Sequence, residues 1–594
     1  VQTITSRNEI DPKYKWDLAS MYADSAAWEA DLAKVKALAE ELTGYAGRLG
    51  ESGAVLLESL SKKDDMNRLL EKVFVFARMK RDEDNANEEA QAMTDKVMAA
   101  AAALGAKLAF FTPELIGLGE ETIKRFLEEE PGLAVYQFYL ECVLREKEHV
   151  LSDSEEALLA RLSEVLGGAD DIFTMLNNAD MDFGEITGED GEPAKLTHGS
   201  YITFLQSNDR RVRQEAFEKL YEKYKSQINT IGATYATSVK TDVIGADIRH
   251  YPSARGAACF ADNVSEDVYD NLIKVISENI PALHKYLEIR KRALGVEDLR
   301  MWDMYAPLVK IPQKTIPYEE AQAMVMEALQ PMGEQYLNDL KHGFADGWVD
   351  VYETPGKTSG AYSFGSYDSK PFVLLNYKET LQDVFTVIHE MGHSMNSFYT
   401  RRTQPFVYGG HSIFTAEVAS TVNENLLIKH LLATETDPEM RKYLINFQLE
   451  GFRTTVFRQT MFAEFEHIVH KHVEDGGSLT PSWLCAEYDK LNSKYFGPSL
   501  VHDDYIQYEW ARIPHFYSAF YVYKYATGYS AAAAISDLIL KNGPDDYLKF
   551  LACGENDYPV ELLKIAGVDM SQPAPIESAM RTFSALVDEL DTLL

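Results

Sequence analysis

"VFTVIHEMGHSMNSFY", residues 384–399, sets a glutamate directly after one histidine and a second histidine four positions beyond the first. On a helix, residues four apart are neighbours on one face. At 100° per residue, Val384, Val387, Ile388, Met391 and Met395 fall on one arc while His389 and His393 fall on the other. The stretch therefore predicts a helix with a core-facing apolar stripe and two imidazoles off it. Thr380 followed three residues later by Asp383 makes a capping-box pattern, so the helix is expected to begin near Leu381.

Two imidazoles one turn apart can bind one tetrahedral zinc ion at about 2.0–2.1 Å, and Glu390, one residue round, can reach a water held there. Gly392 sits between them at a cost in helix propensity, which marks a place where something packs closely. An HExxH pattern also occurs on ordinary solvated helices, so a third ligand is required. The HExxHxxGxxH arrangement would need glycine at 396 and histidine at 399; Asn396 and Tyr399 stand there, which excludes it. "IFTAEVASTVNENLLIKHLL", from Ile413, reads as a second helix with Glu417 and Glu424 on one face. Glu417 would complete a His2Glu set with a fourth position left for water, and Glu424 would orient a ligating imidazole by a hydrogen bond. His411 is the rival third ligand.

Outward from this centre, the chain is mainly helical. Residues 26 to 180 are rich in Ala, Leu, Glu and Lys at helical spacing. The Gly/Asp-rich "MDFGEITGEDGEPAKLTHGSY" interrupts them as a hairpin or a lobe boundary, and we place the division near residue 195: an N-terminal helical domain, 1–195, and a catalytic domain, 196–594. Strand-like text is confined mainly to residues 300–377, including "MWDMYAPLV" and "GAYSFGSYDSKPFVLLNY", so a small sheet is expected just before the HEMGH helix.

At 594 residues the chain exceeds one usual core, and two lobes with a cleft are expected. Its 93 acidic against 58 basic side chains give a net charge of −35, which repels nucleic acid and anionic membrane surfaces; neither is expected as a partner. Cys142, Cys259, Cys485 and Cys553 are scattered without a CxxC pair, which suits a reducing compartment. The polar N-terminal stretch lacks a signal-like apolar core and no later window is expected to span a bilayer, so the chain reads as cytoplasmic.

"HEMGHS", "FTAEVASTVNE" and "RIPHFYSAFYVYKYATG", in that order, resemble the M3 metallopeptidases of the oligoendopeptidase F type, related to the thimet oligopeptidases. Weaker likeness extends over "YKWDLASMY", "NADMDFGEI" and "GAYSFGSYDSKPFVLLNY", and so over nearly the whole chain. The resemblance implies a two-lobed helical molecule with a deep channel, one zinc ion per chain, and cleavage of short peptides inside the cell. It also implies His389, His393 and Glu417 as zinc ligands, Glu390 as general base and Glu424 behind the ligands.

In such relatives a late histidine and tyrosines face the tetrahedral intermediate. Here the candidates are His515, Tyr517, Tyr521, Tyr523 and Tyr525, on a helix expected to open at Pro514. His515 and Tyr523 are favoured, with Tyr517 third. Two other functions compete. A dipeptidyl carboxypeptidase would need a cation for the substrate's C-terminal carboxylate, with Arg249, Arg255, Arg401, Arg402 and Arg512 as candidates. A non-catalytic zinc-stabilised peptide binder would have no use for Glu390.

Overall fold

Asp24, Ser52 and Asn87 each accept the backbone N–H three residues on, and so start three successive helices, Ser25–Thr43, Gly53–Glu83 and Glu88–Lys107. Trp28, Leu32, Val35, Ala39 and Leu42 recur at helical spacing in the first and are all buried. The Trp28 indole N–H donates to the Val73 carbonyl at 2.8 Å, so burying that ring leaves no orphaned donor. The computed structural model, which describes residues 6–309 and 314–594, divides into two compact units, each drawn from three chain segments.

The first unit comprises Val1–Glu148, Lys314–Leu427 and Ile535–Gly567; the second comprises His149–Gln313, Ile428–Ala534 and Val568–Leu594. Residue 195, where the sequence placed a division, lies inside the second unit. The Gly/Asp-rich stretch there is a hairpin: β1 (Glu185–Thr187) pairs antiparallel with β2 (Pro193–Lys195). Turn chemistry is local and reads the same in a hairpin as at a boundary, whereas the units are defined by packing between distant segments.

In the first unit, Trp16, Trp28, Val73, Phe76, Met93 and Val97 share one core with Phe372 and Leu374. That core holds the small sheet in place. β3 (Val349–Asp350) pairs parallel and β4 (Tyr362–Phe364) antiparallel with the central β5 (Phe372–Leu374). All three β5 residues are buried, as a strand covered on both faces requires, while β4 is a half-buried edge. Against expectation, Glu88–Leu118 is long and apolar enough to span a membrane by length and composition. Its apolar character comes largely from alanines, and Met93, Val97, Ala100 and Leu104 form one buried stripe.

The second unit is helical around Tyr235, Phe465, Trp510 and Phe516, whose rings lie within 6.5 Å of one another in successive contacts. Its buried Arg290 and Arg453 are paired with Glu450. Burial alone would raise the Glu450 carboxyl, but Arg453 and Arg290 outweigh it and hold it at about 2. The strand-like "MWD" at 301–303 is instead a buried 3-10 turn, fixed where Asp303 accepts from Arg210 and Arg213. Aromatic composition marks burial there, not strand.

Candidate metal centre

The helix that carries HEMGH runs Leu381–Thr403 behind a complete capping box: Thr380 Oγ1 accepts from Asp383 N–H at 3.2 Å, and Asp383 Oδ2 accepts from Thr380 N–H at 2.9 Å. Its apolar arc, Val384, Val387, Ile388, Met391 and Met395, is at most 1% exposed. His389 and His393 are half-buried on the other side. The second helix runs Ile413–Thr434 in the structure. A Cβ at position 392 would lie 2.7 Å from Ser420 Cα and 2.8 Å from the Ala419 carbonyl oxygen, both backbone atoms of that helix. Only glycine permits this approach, and the Asn423 amide donating to the Ile388 carbonyl at 3.3 Å ties the same pair together.

The close approach brings three donor atoms together. The Nε2 atoms of His389 and His393 are 3.2 Å apart, and Glu417 Oε2 lies 3.6 and 3.7 Å from them. Ligands at 2.0–2.1 Å around a tetrahedral ion would be about 3.4 Å from each other, so the spacing fits such a cation. Tautomers agree with this reading. His389 Nδ1–H donates to Glu424, and the His393 ring bonds to the Ala416 backbone, so Nε2 of each ring is the nitrogen turned to the shared point, where a cation would displace any proton it carries. Two nitrogen lone pairs and a carboxylate facing one point is a donor set suited to a borderline cation such as zinc.

Electrostatics follow from this crowding. Burial lowers the His389 imidazole's affinity for protons, but the Glu424 hydrogen bond and the carboxylates around it outweigh that and push it up to about 9. His393 is held down at about 4 by burial and by the neighbouring His389. Glu390 is 7% exposed, and burial, reinforced by Glu417, pushes its carboxyl up to about 7. It accepts the Ser363 backbone N–H from the β4 edge, and Ser363 Oγ meets Ser394 Oγ on the metal helix at 2.8 Å. His411, the rival ligand, is not among the three converging atoms. Its Nδ1 instead lies 3.3 Å from the Asn396 amide, and burial followed by the Arg401 charge holds it at about 4.

The comparisons with known proteins agree with the centre. The model of peptidase family M3 matches residues 203–582, and that of oligopeptidase F matches residues 114–183. The chain belongs to peptidase family M3. It is 43% identical over 594 residues to oligopeptidase PepF of Bacillus subtilis, covering all of this chain and 89% of that protein. It is 40% identical over 595 positions to an oligoendopeptidase F homolog of Lactococcus lactis, covering 99% and 98% of the two chains. The crystal structure of oligoendopeptidase-F from Enterococcus faecium superposes with a TM-score of 0.76 at 38% identity, covering 96% of this chain and 99% of that one. This M3 chain is thus a metal-dependent peptidase.

The remaining predicted residues of this peptidase lie in the second unit. The single helix expected from Pro514 does not form: Pro514–Tyr517 is a 3-10 turn, and a separate helix begins at Tyr523. Tyr523 is 1% exposed and packs its ring 5.0 Å from Tyr269. Tyr517 stacks on Phe173 at 4.5 Å and its hydroxyl meets Thr234 Oγ1 at 2.8 Å. His515 is exposed, and beside it stand Tyr521, stacked at 5.8 Å, and Tyr525, whose hydroxyl is 3.5 Å from Nε2. The structure brings Tyr521 and Tyr525, and not the favoured Tyr523, beside His515. Helical spacing carried no sign of the turn that arranges them. Burial and the Arg458 charge lower the His515 imidazole below its ordinary value.

Proposed function

We propose that this M3 peptidase holds one zinc ion between His389, His393 and Glu417 and hydrolyses internal bonds of short peptides. The observation that carries this reading is the 3.2–3.7 Å triangle of donor atoms with Glu390 beside it. When bound, the cation supplies Lewis acidity at the scissile carbonyl and makes water easier to deprotonate. Glu390 takes the proton from the attacking water and passes it to the leaving amine. A carboxyl that exchanges its proton near pH 7 is suited to both steps. Glu424 keeps the His389 ring in the ligating tautomer. The family likeness supports His515 as a donor to the developing oxyanion, and its ring neighbours Tyr521 and Tyr525 support their hydroxyls, in place of that of Tyr523, as its partners in that role.

The β4 edge at Tyr362–Phe364 is suited to pairing with an extended substrate backbone, which reads main chain rather than side chains and gives broad specificity. Endo-cleavage is favoured over removal of C-terminal dipeptides. Of the candidate arginines, Arg249, Arg255 and Arg512 are paired with carboxylates, Arg402 lies within 3.8 Å of Asp339, and Arg401 donates to the Gly365 carbonyl. All four cysteines are free thiols, which supports a reducing, cytoplasmic setting. The relatives' names, oligopeptidase and oligoendopeptidase, support short peptide substrates.

The test is a defined peptide library with free and with blocked ends, read by mass spectrometry before and after chelation and after zinc return. Blocked peptides should be cut internally, chelation should stop cutting, and zinc should restore it. Release of dipeptides from free C-termini alone would overturn the endopeptidase reading, and chelator-resistant cleavage would overturn the metal reading.

A further inference from the structure

Glu466 is a fully buried carboxyl in the second unit. It sits on helix Arg458–Glu474 with 0% exposure. One of its oxygens accepts the Phe520 backbone N–H at 3.0 Å; the other is buried without a partner. Burial, with the Asp242 charge adding to it, raises its proton affinity well above the carboxylate range, which favours the neutral acid. A fully buried acid without a cation is expensive to keep unless its one hydrogen bond matters.

That bond lands on an unusual backbone. Phe520 has φ +57°, in the left-handed region that disfavours a bulky side chain. Its ring is 1% exposed and lies 4.6 Å from the His470 ring and 5.8 Å from Tyr269. His470 is itself fixed, with Nδ1 on the Glu466 carbonyl at 2.8 Å and Nε2 3.2 Å from Asp242. Phe520 is therefore a peg in a rigid socket, and Glu466 binds the amide at its base. The reversal occurs between the turn carrying His515 and the helix carrying Tyr525. Ser518 N–H bonds to the His515 carbonyl at 2.9 Å before it, and Lys524 N–H to the Tyr521 carbonyl at 3.2 Å after it. Tyr521, next to Phe520, lies parallel to the His515 ring within 7°.

We propose that Glu466 is a positioning residue: by holding the Phe520 amide it secures the left-handed turn that lays Tyr521 and Tyr525 against His515. This rests on the reading of His515 as the group that faces the oxyanion. The role needs a neutral acceptor, not a charge, so glutamine should replace Glu466 while methionine, of similar shape but without an oxygen, should not.

The experiment compares full-length, zinc-loaded Glu466→Gln and Glu466→Met with wild type, by steady-state cleavage of a blocked peptide and by hydrogen exchange in the segment containing Phe520. Glu466→Met should release the Phe520 amide to fast exchange and lower kcat about tenfold to a hundredfold with little change in KM. Glu466→Gln should match wild type in both. Circular dichroism and metal content check that the fold is kept, and Glu466→Ala, which leaves a cavity in place of a clash, repeats the test should the methionine variant not fold. Continued protection of the amide in Glu466→Met, or a glutamine variant as slow as the methionine one, overturns the clamp. An unprotected amide with wild-type kcat, while His515→Ala is slow, overturns the positioning role alone. Wild-type kcat in His515→Ala overturns the underlying reading of His515 and with it the catalytic purpose of the clamp.

Discussion

Replacing Glu390 with Gln should make the metal-free protein more stable at alkaline pH while removing most of its activity. The carboxyl is 7% exposed and raised from its ordinary 4.5 to about 7. At about 1.4 kcal/mol per pH unit, ionised Glu390 costs the fold about 3 kcal/mol. The sign follows from proton linkage. Below pH 4.5 the side chain is protonated in both folded and unfolded chains and costs nothing. As pH rises from 4.5 to 7 the unfolded chain ionises first, so stability is lost across that window and stays lost above it. A glutamine amide in its place carries no charge at any pH. The gain from the substitution should therefore be under about 1 kcal/mol at pH 5 and about 3 kcal/mol at pH 8. The assay is urea unfolding of chelator-treated wild type and Glu390→Gln at both pH values, scored on the first transition, since two units need not unfold together. Zinc content after reconstitution should be unchanged, because no ligand is altered, and kcat should fall about 10²- to 10⁴-fold. An equal stability difference at pH 5 and pH 8 would refute the buried-carboxylate argument. Near-normal turnover would refute the role as base.

Gly392→Ala should cost about 1–3 kcal/mol and loosen the metal, because its Cβ meets backbone of the second helix at 2.7 Å and a backbone cannot swing aside; thermal melting and chelator competition measure both, and unchanged values would show that the helices are not locked at that point. Glu424→Ala should weaken metal binding about 10- to 100-fold by freeing the His389 ring, with the ligands intact; a competition titration returning wild-type affinity would count against the orienting bond. Tyr525→Phe should lower kcat about tenfold or more, since its hydroxyl is the one 3.5 Å from His515, whereas the buried Tyr523→Phe should leave it unchanged; steady-state kinetics giving the reverse order would reinstate the pairing that helical spacing favoured.

Much of the metal centre was legible in the chain because its parts are local. Periodicity placed His389 and His393 off the apolar arc, the Thr380–Asp383 pair marked the helix start, and Gly392 marked a close contact. Each is a matter of residues within one or two turns, where helix geometry alone sets the neighbours. The small sheet before the metal helix was legible for the same reason, as β-branched and aromatic residues between Gly and Pro.

Non-local packing decided the rest. Glu417, which the sequence put ahead of His411, reaches the imidazoles because Ser420 and Ala419 back onto Gly392, and which helix meets that glycine is set by the fold alone. Residue 195 lies within a unit because each unit joins segments that are separated along the chain. Tyr521 and Tyr525 flank His515 because the chain reverses at Phe520, and that left-handed turn survives only where a buried ring and the Glu466 acceptor hold it. Short-range rules follow from backbone geometry and are written along the chain; long-range choices follow from which surfaces exclude water together, and only the folded protein makes them.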